Sequence, residues 1–155
     1  MDAPRILVIG MGHPDRGDDA VGRIVAEHLR HDPPAGVRIV ATDGEAGKLL
    51  DLFGDADHVI VIDAGLSGAA PGTIHRLDAA AAPLPRPMFA MSSHAIGLVE
   101  SIELARTLGT LPKRCIVFAV EGERFDLGAG LSAPVAAAVD VVIARLAEEL
   151  RVELV

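Results

Sequence analysis

Three stretches of the chain carry side chains able to bind a cation or move a proton. The first is Gly10-Met11-Gly12-His13-Pro14-Asp15-Arg16-Gly17-Asp18-Asp19-Ala20-Val21-Gly22. Its glycines permit tight bends and close approach of backbone to a ligand, and it offers two adjacent carboxylates. The second is Val59-Ile60-Val61-Ile62-Asp63-Ala64-Gly65, in which a carboxylate directly follows four β-branched residues. An acid at the mouth of so apolar a strand is costly unless paired, hydrogen-bonded or bound to a metal. The third, Met91-Ser92-Ser93-His94-Ala95-Ile96-Gly97-Leu98, sets an imidazole among small residues at a helix start, where one ring nitrogen can face outward.

Each of these residues also has a plain structural reading. Acids at helix starts usually cap free N–H groups and complement the dipole. Asp18 keeps that reading, while Asp19, one residue further in, is the better candidate to face a ligand. Asp63 read as a turn residue competes evenly with Asp63 read as a site residue. A lone histidine is most often structural or solvated, and His28, His31, His58 and His75 are read that way. His13, inside the glycine loop, is less settled.

The elements that must position these groups follow from hydrophobic periodicity. Strand-length apolar runs at Arg5–Ile9, Val37–Ala41, His58–Ile62 and Arg114–Val120 alternate with helix-period segments. The helices are expected over Asp18–Leu29, Ala46–Phe53 and Ala95–Leu108, the last with Ser93 as N-cap. A fourth starts at Ser132, with Pro134 in its first turn and an inward face of Val135, Val139, Val142, Leu146 and Leu150. Gly72–Leu77 reads as a short edge strand, His58–Ile62 as the central one, and Asp78–Pro87 as a surface loop. The fold class predicted is α/β: a three-layer α/β/α sandwich around a twisted, mostly parallel five-stranded sheet, with residues 1–155 forming a single domain.

In such a sheet ligands gather beyond the carboxyl ends of the strands. If the strand order cooperates, Asp19, Asp63 and His94 converge there as a mixed O/O/N site suited to zinc, nickel or a similar divalent ion. Other chemistries fit worse. The loop after Gly12 lacks the third glycine of a dinucleotide fingerprint and the Lys-Ser/Thr pair of a phosphate loop. Neither a Gly-x-Ser-x-Gly elbow nor a His-Glu-x-x-His helix is present. The single cysteine, Cys115, sits in an apolar run and reads as a buried, inert thiol.

Composition narrows the function classes further. A formal charge of −8, no Trp or Tyr and only four Phe argue against nucleic acid, which rewards basic surfaces and stacking platforms. Half the residues are hydrophobic, yet no run approaches the roughly 18 apolar residues of a membrane span. The first ten residues lack the charge and length of a secretory signal. The expectation is therefore a cytoplasmic protein without a membrane partner. The absence of a heptad or long apolar stripe suggests a monomer.

Taken in order, these segments resemble the hydrogenase maturation protease family, whose members trim the C-terminus of the large subunit of nickel–iron (NiFe) hydrogenases. The resemblance spans nearly the whole chain. It is carried by Gly10-Met11-Gly12, Gly17-Asp18-Asp19-Ala20-Val21-Gly22, Asp43-Gly44, Ile62-Asp63-Ala64, Ser93-His94-Ala95-Ile96-Gly97-Leu98 and Leu131-Ser132-Ala133-Pro134-Val135. Each segment is weak alone; six in sequence are specific. His13 departs from the asparagine common after the family's glycines, and reads as a substitute polar contact.

The resemblance implies an endopeptidase acting on the nickel-loaded large-subunit precursor, with cleavage after a basic residue. Asp19, Asp63 and His94 are then the metal-recognition and catalytic residues, and Gly12 and Asp43 orient the substrate. The nickel would come with the substrate, and Zn or Cd would replace it in vitro. Two other classes stand beside this one: a non-catalytic metal-binding chaperone using the same three residues, and a nucleotide-binding regulator, which the failed glycine spacing disfavours.

Overall fold

Strands and helices alternate along the chain much as the periodicities predict. The structure is a computed structural model, and it describes residues 3–91, 94 and 96–154. The order is β1 (Ile6–Met11), α1 (Val21–His31), β2 (Val37–Thr42), α2 (Ala46–Gly54), β3 (His58–Gly65), β4 (Ile74–Asp78), α3 (Leu98–Leu108), β5 (Arg114–Glu121) and α4 (Ala133–Leu154), with 3-10 turns at Gly17–Ala20 and Arg86–Phe89. The sheet runs β2-β1-β3-β5-β4. Its first four strands are parallel, and β4 closes one edge antiparallel to β5.

The side-chain period of two sorts each central strand onto two cores. Ile9, Val61 and Val117 face one way and pack with Leu49, Phe53 and Ile102 of α2 and α3. Val8, Ile60, Ile62, Ile116 and Phe118 face the other way and pack with Val21, Val25, Val135, Val142 and Leu146 of α1 and α4. Burying each such side chain fully contributes roughly 1.5–3 kcal/mol before entropy is counted. β3 occupies the middle of the sheet, so both its faces are covered. The inward face expected for α4 is buried throughout.

Helix α1 reaches β1 and β3 more closely than side chains allow. A Cβ placed on Gly22 would collide with the carbonyl oxygens of Ile62 and Met11, and one on Gly10 with the carbonyl of Gly22. Glycine at both positions lets helix backbone rest directly on strand backbone.

Three expectations need correction. The first helix does not begin at Asp18: residues Gly17–Ala20 form a 3-10 turn with no side-chain cap, and α1 begins at Val21. Asp18 is drawn elsewhere, as described below. Helix α3 begins at Leu98 rather than Ala95, because Gly97 at its cap is extended (φ −102°, ψ −153°). The expected cap, Ser93, lies outside the described residues. The stretch expected as a surface loop at Asp78–Pro87 sends Ala79 and Leu84 into the core beside α3, and Arg106 holds it there by donating to the carbonyls of Ala79 (2.6 Å) and Ala80 (3.3 Å).

Candidate active site

The carboxyl ends of β1, β2 and β3 open into one small pocket whose polar wall is Asp19, Asp43 and Asp63, with Gly12 at its floor. Asp19 is aimed by the loop after β1. Gly12 takes φ +138° and lies against the Asp19 carbonyl, a conformation and proximity that only glycine tolerates. The turn brings the His13 N–H to Asp19 Oδ2 at 2.8 Å, fixing that carboxylate. The His13 ring instead accepts the Asp15 N–H at 3.1 Å, which makes it a loop-shaping polar contact.

Asp63 lies near the end of β3, half-buried, with Oδ1 accepting the N–H of Ala64 at 2.8 Å. Burial, and then the charge of Asp19, push its pKa up to about 8, against which that single hydrogen bond acts only in part. Burial and the neighbouring carboxylate thus favour the neutral, protonated form of Asp63. The free volume of the pocket is about 20 Å³, enough for a water molecule or a bare ion.

His94 does not line this pocket. It stands beside it, with Nε2 3.6 Å from Asp43 Oδ2, and borders a neighbouring cavity of about 180 Å³ walled by Phe89 and Leu98. Asp43 is held in turn by accepting the Glu45 N–H at 3.2 Å. Among the described residues, no three His, Cys, Asp or Glu side chains are gathered closely enough to hold a metal ion as they stand. The structure thus gathers Gly12, Asp19, Asp43 and Asp63, and leaves the imidazole one contact away.

A model of the hydrogenase maturation protease family matches residues 24–149. The chain is 32% identical over 153 residues to the hydrogenase 2 maturation protease of Escherichia coli (strain K12), covering 95% of this chain and 91% of that protein. The chain belongs to the hydrogenase maturation protease family. A further relative, the hydrogenase expression/formation protein HoxM of Azotobacter vinelandii, is 34% identical over 160 residues, covering 99% of this chain and 75% of its own. The solved structure of the E. coli hydrogenase maturating endopeptidase HybD superposes with a TM-score of 0.80 at 28% identity, covering 95% of this chain and 92% of that one. Relatives named as maturation proteases and endopeptidases make a hydrolase the coarse assignment for this family member.

Sequence reasoning missed three features of this maturation-protease site. The first is what Asp18 does. Its buried carboxylate accepts from the backbone N–H groups of Glu123 (2.8 Å), Arg124 (3.0 Å) and Ser132 (2.7 Å), and from Ser132 Oγ (2.9 Å). Burial works to raise its pKa, but these four bonds win and hold it below the ordinary carboxylate range. Asp18 therefore ties the Asp19 turn to the loop between β5 and α4, where Phe125 forms a wall of the pocket.

The second is Glu121, almost wholly buried at the end of β5, which accepts Ser67 N–H (2.8 Å) and Oγ (2.6 Å) and pairs with His75 Nε2 (3.1 Å). It fastens the connection leaving β3, just beyond Asp63. The third is the apolar wall: Met11, Met88 and Met91, three of the four methionines, line the pocket beside Phe89 and Phe125. That clustering was countable in the sequence only once the fold joined residues 11, 88–91 and 125. Cys115 carries no chemistry here: it is fully buried, and burial pushes its thiol up to about 12.

Proposed function

We propose that the chain is the endopeptidase that removes the C-terminal extension of the nickel-loaded large-subunit precursor of a nickel–iron hydrogenase. The observation that carries the reading is the meeting of Asp19 and Asp63, with Asp43 beside them, in the wall of one small pocket in a chain of this family. Two carboxylates that crowd each other at neutral pH are complementary to a divalent cation. In this reading the nickel belongs to the substrate. It enters the pocket on the precursor, and Asp19 and Asp63 take it up. His94 exchanges its contact with Asp43 for the third ligand position, which supplies the O/O/N donor set that nickel or zinc accepts.

The precursor's own metal then fixes the scissile peptide against the site, so cutting depends on insertion having occurred. Water adds across the peptide C–N bond. A site carboxylate takes the water's proton and the leaving amine receives one. Gly12 presents backbone, and Asp43 a carboxylate, to the peptide beside the cut. Among the described residues no three-ligand cluster stands preassembled, an arrangement that suits a transient reader of a partner's metal better than a metal chaperone.

The test is the mass of purified precursor after incubation. Nickel-loaded precursor should lose its tail, nickel-free precursor should not, and His94→Ala and Asp63→Asn should fold yet fail to cut. Tail removal by His94→Ala would discard the ligand assignment. A precursor whose mass changes by metal alone would favour the chaperone reading.

A further inference from the structure

Glu121 is 1% exposed, so it touches no substrate, and any effect it has on cutting must pass through its neighbours. The groups it engages come from both ends of the connection between β3 and β4. Its carboxylate accepts the Ser67 N–H at 2.8 Å and Oγ at 2.6 Å, and pairs with His75 Nε2 at 3.1 Å. Its main chain is held as well: the N–H donates to Thr73 O at 2.8 Å, and the carbonyl accepts the Gly72 N–H at 2.7 Å. Burial works to raise its pKa, but the bonds from Ser67, His75 and the Gly68 N–H win and hold it below the ordinary carboxylate range. Removing so satisfied a carboxylate strands every donor that points at it.

The stretch that Glu121 grips supports two parts of the site. On one side it continues β3, where Asp63 stands opposite Ala119 and Gly65 opposite Glu121 itself. The Gly122 N–H closes this end of the ladder on Gly65 O at 3.0 Å. On the other side the Leu66 N–H donates to Met88 O at 2.8 Å. Met88 lines the pocket with Asp63, and six residues beyond it comes His94. In the proposed reaction that imidazole leaves Asp43 for the ion, and a segment that shifts needs a fixed root to shift from. Met88 is that root, tied to the same strand end as Asp63.

We propose that Glu121 is a positioning residue: by pinning Ser67 it holds Asp63 and the root of the His94 segment in one rigid frame, so that the imidazole swings against a fixed carboxylate. The proposal rests on the proposed function and deepens it.

The test compares Glu121→Ala with Val142→Ala, a core truncation on α4, which lines no part of the pocket. On nickel-loaded precursor Glu121→Ala should lower kcat about 100-fold, the effect of a misplacement near 1 Å. KM should stay within about twofold, because the precursor never meets Glu121. Val142→Ala should lose stability and keep kcat, and Glu121→Gln, which retains an acceptor oxygen for the Ser67 N–H, should recover much of the lost rate. Amide exchange of the free chain gives a readout independent of cutting. The Ala64 and Leu66 N–H groups bond Asp63 Oδ1 and Met88 O, and in Glu121→Ala they should exchange about tenfold faster relative to Val61. Should Glu121→Ala fail to fold, Ser67→Ala, which removes only the hydroxyl bond, carries the same readouts at smaller size. A kcat loss no greater than that of Val142→Ala, or Ala64 and Leu66 amides that keep pace with Val61, overturns the proposal. If the parent leaves nickel-loaded precursor whole while Glu121→Ala releases the two amides, the frame stands and the peptidase reading falls.

Discussion

Replacing Asp18 tests whether the site is held together by one buried carboxylate. Its two oxygens serve three backbone N–H groups and one hydroxyl, at 2.7–3.0 Å. Hydrogen bonds to a charged acceptor contribute roughly 1.5–3 kcal/mol each, but water can reach the exposed residues Glu123 and Arg124 once the acid is gone, so the sum overstates the loss. Asp18→Ala should then cost about 3–5 kcal/mol. Asp18→Asn should cost about 2–3 kcal/mol. If the amide oxygen takes the place of Oδ2, its NH₂ faces the Ser132 N–H, donor to donor; turned over, it strands the N–H groups of Glu123 and Arg124.

At roughly 2–4 °C per kcal/mol for a chain of this size, the alanine variant should melt some 6–20 °C below the parent by circular dichroism. The acid limb supplies a second reading. Asp18 titrates below its ordinary value of 3.8 in the folded state, so the folded chain binds fewer protons than the unfolded one in that range. Its contribution is complete above about pH 4 and disappears as pH falls through the folded pKa, and Asp18→Asn should flatten that fall. A thermal midpoint within about 2 °C of the parent, or an acid limb of unchanged slope, would refute the clamp.

Other expectations follow from the same geometry. Asp63 has the opposite sign: with its pKa raised to about 8, the folded chain holds a proton that the unfolded chain releases, so stability declines as pH rises from about 4 to about 8. With chelator present, the stability gained by Asp63→Asn should grow across that window and level off above it, and a pH-independent difference would contradict the assignment. Gly22→Ala should cost more than about 3 kcal/mol in urea unfolding, because the added methyl meets backbone atoms that cannot turn aside. Cys115→Ala should keep full activity, and its loss of stability should be that of a small core cavity, about 1 kcal/mol; loss of activity at intact stability would give the thiol a role. Asp43→Asn, read by KM against kcat on nickel-loaded precursor, should raise KM if Asp43 orients the peptide.

The layers, the sheet and its central strand were legible because period and run length are local properties of the chain. β2, α2, β3 and β5 each begin where their apolar patterns begin, and α4 one residue later than expected. Asp18 shows where local reading fails. Capping statistics describe the next few residues, whereas its partners lie 105 to 114 positions away. Glu121 lies one residue past the expected strand end at Val120, and only the return of the chain through Ser67 and His75 reveals it as satisfied and buried. The nearness of Asp19 to Asp63 followed from placing their strand ends together. The present partner of His94 was not foreseeable, since the Asp43 contact depends on how the segment between Phe89 and Leu98 crosses the top of the sheet.

The meeting of Gly22 with the carbonyls of Ile62 and Met11 has a consequence for the acids on either side of it. Asp19 stands three residues before Gly22, and Asp63 immediately follows Ile62. The gap between them is therefore gauged by main chain touching main chain. Repacking elsewhere in the two hydrophobic layers can change how firmly the protein folds while that spacing keeps its calibration. Sequences of this kind are free to drift in their interiors while the two carboxylates keep their separation.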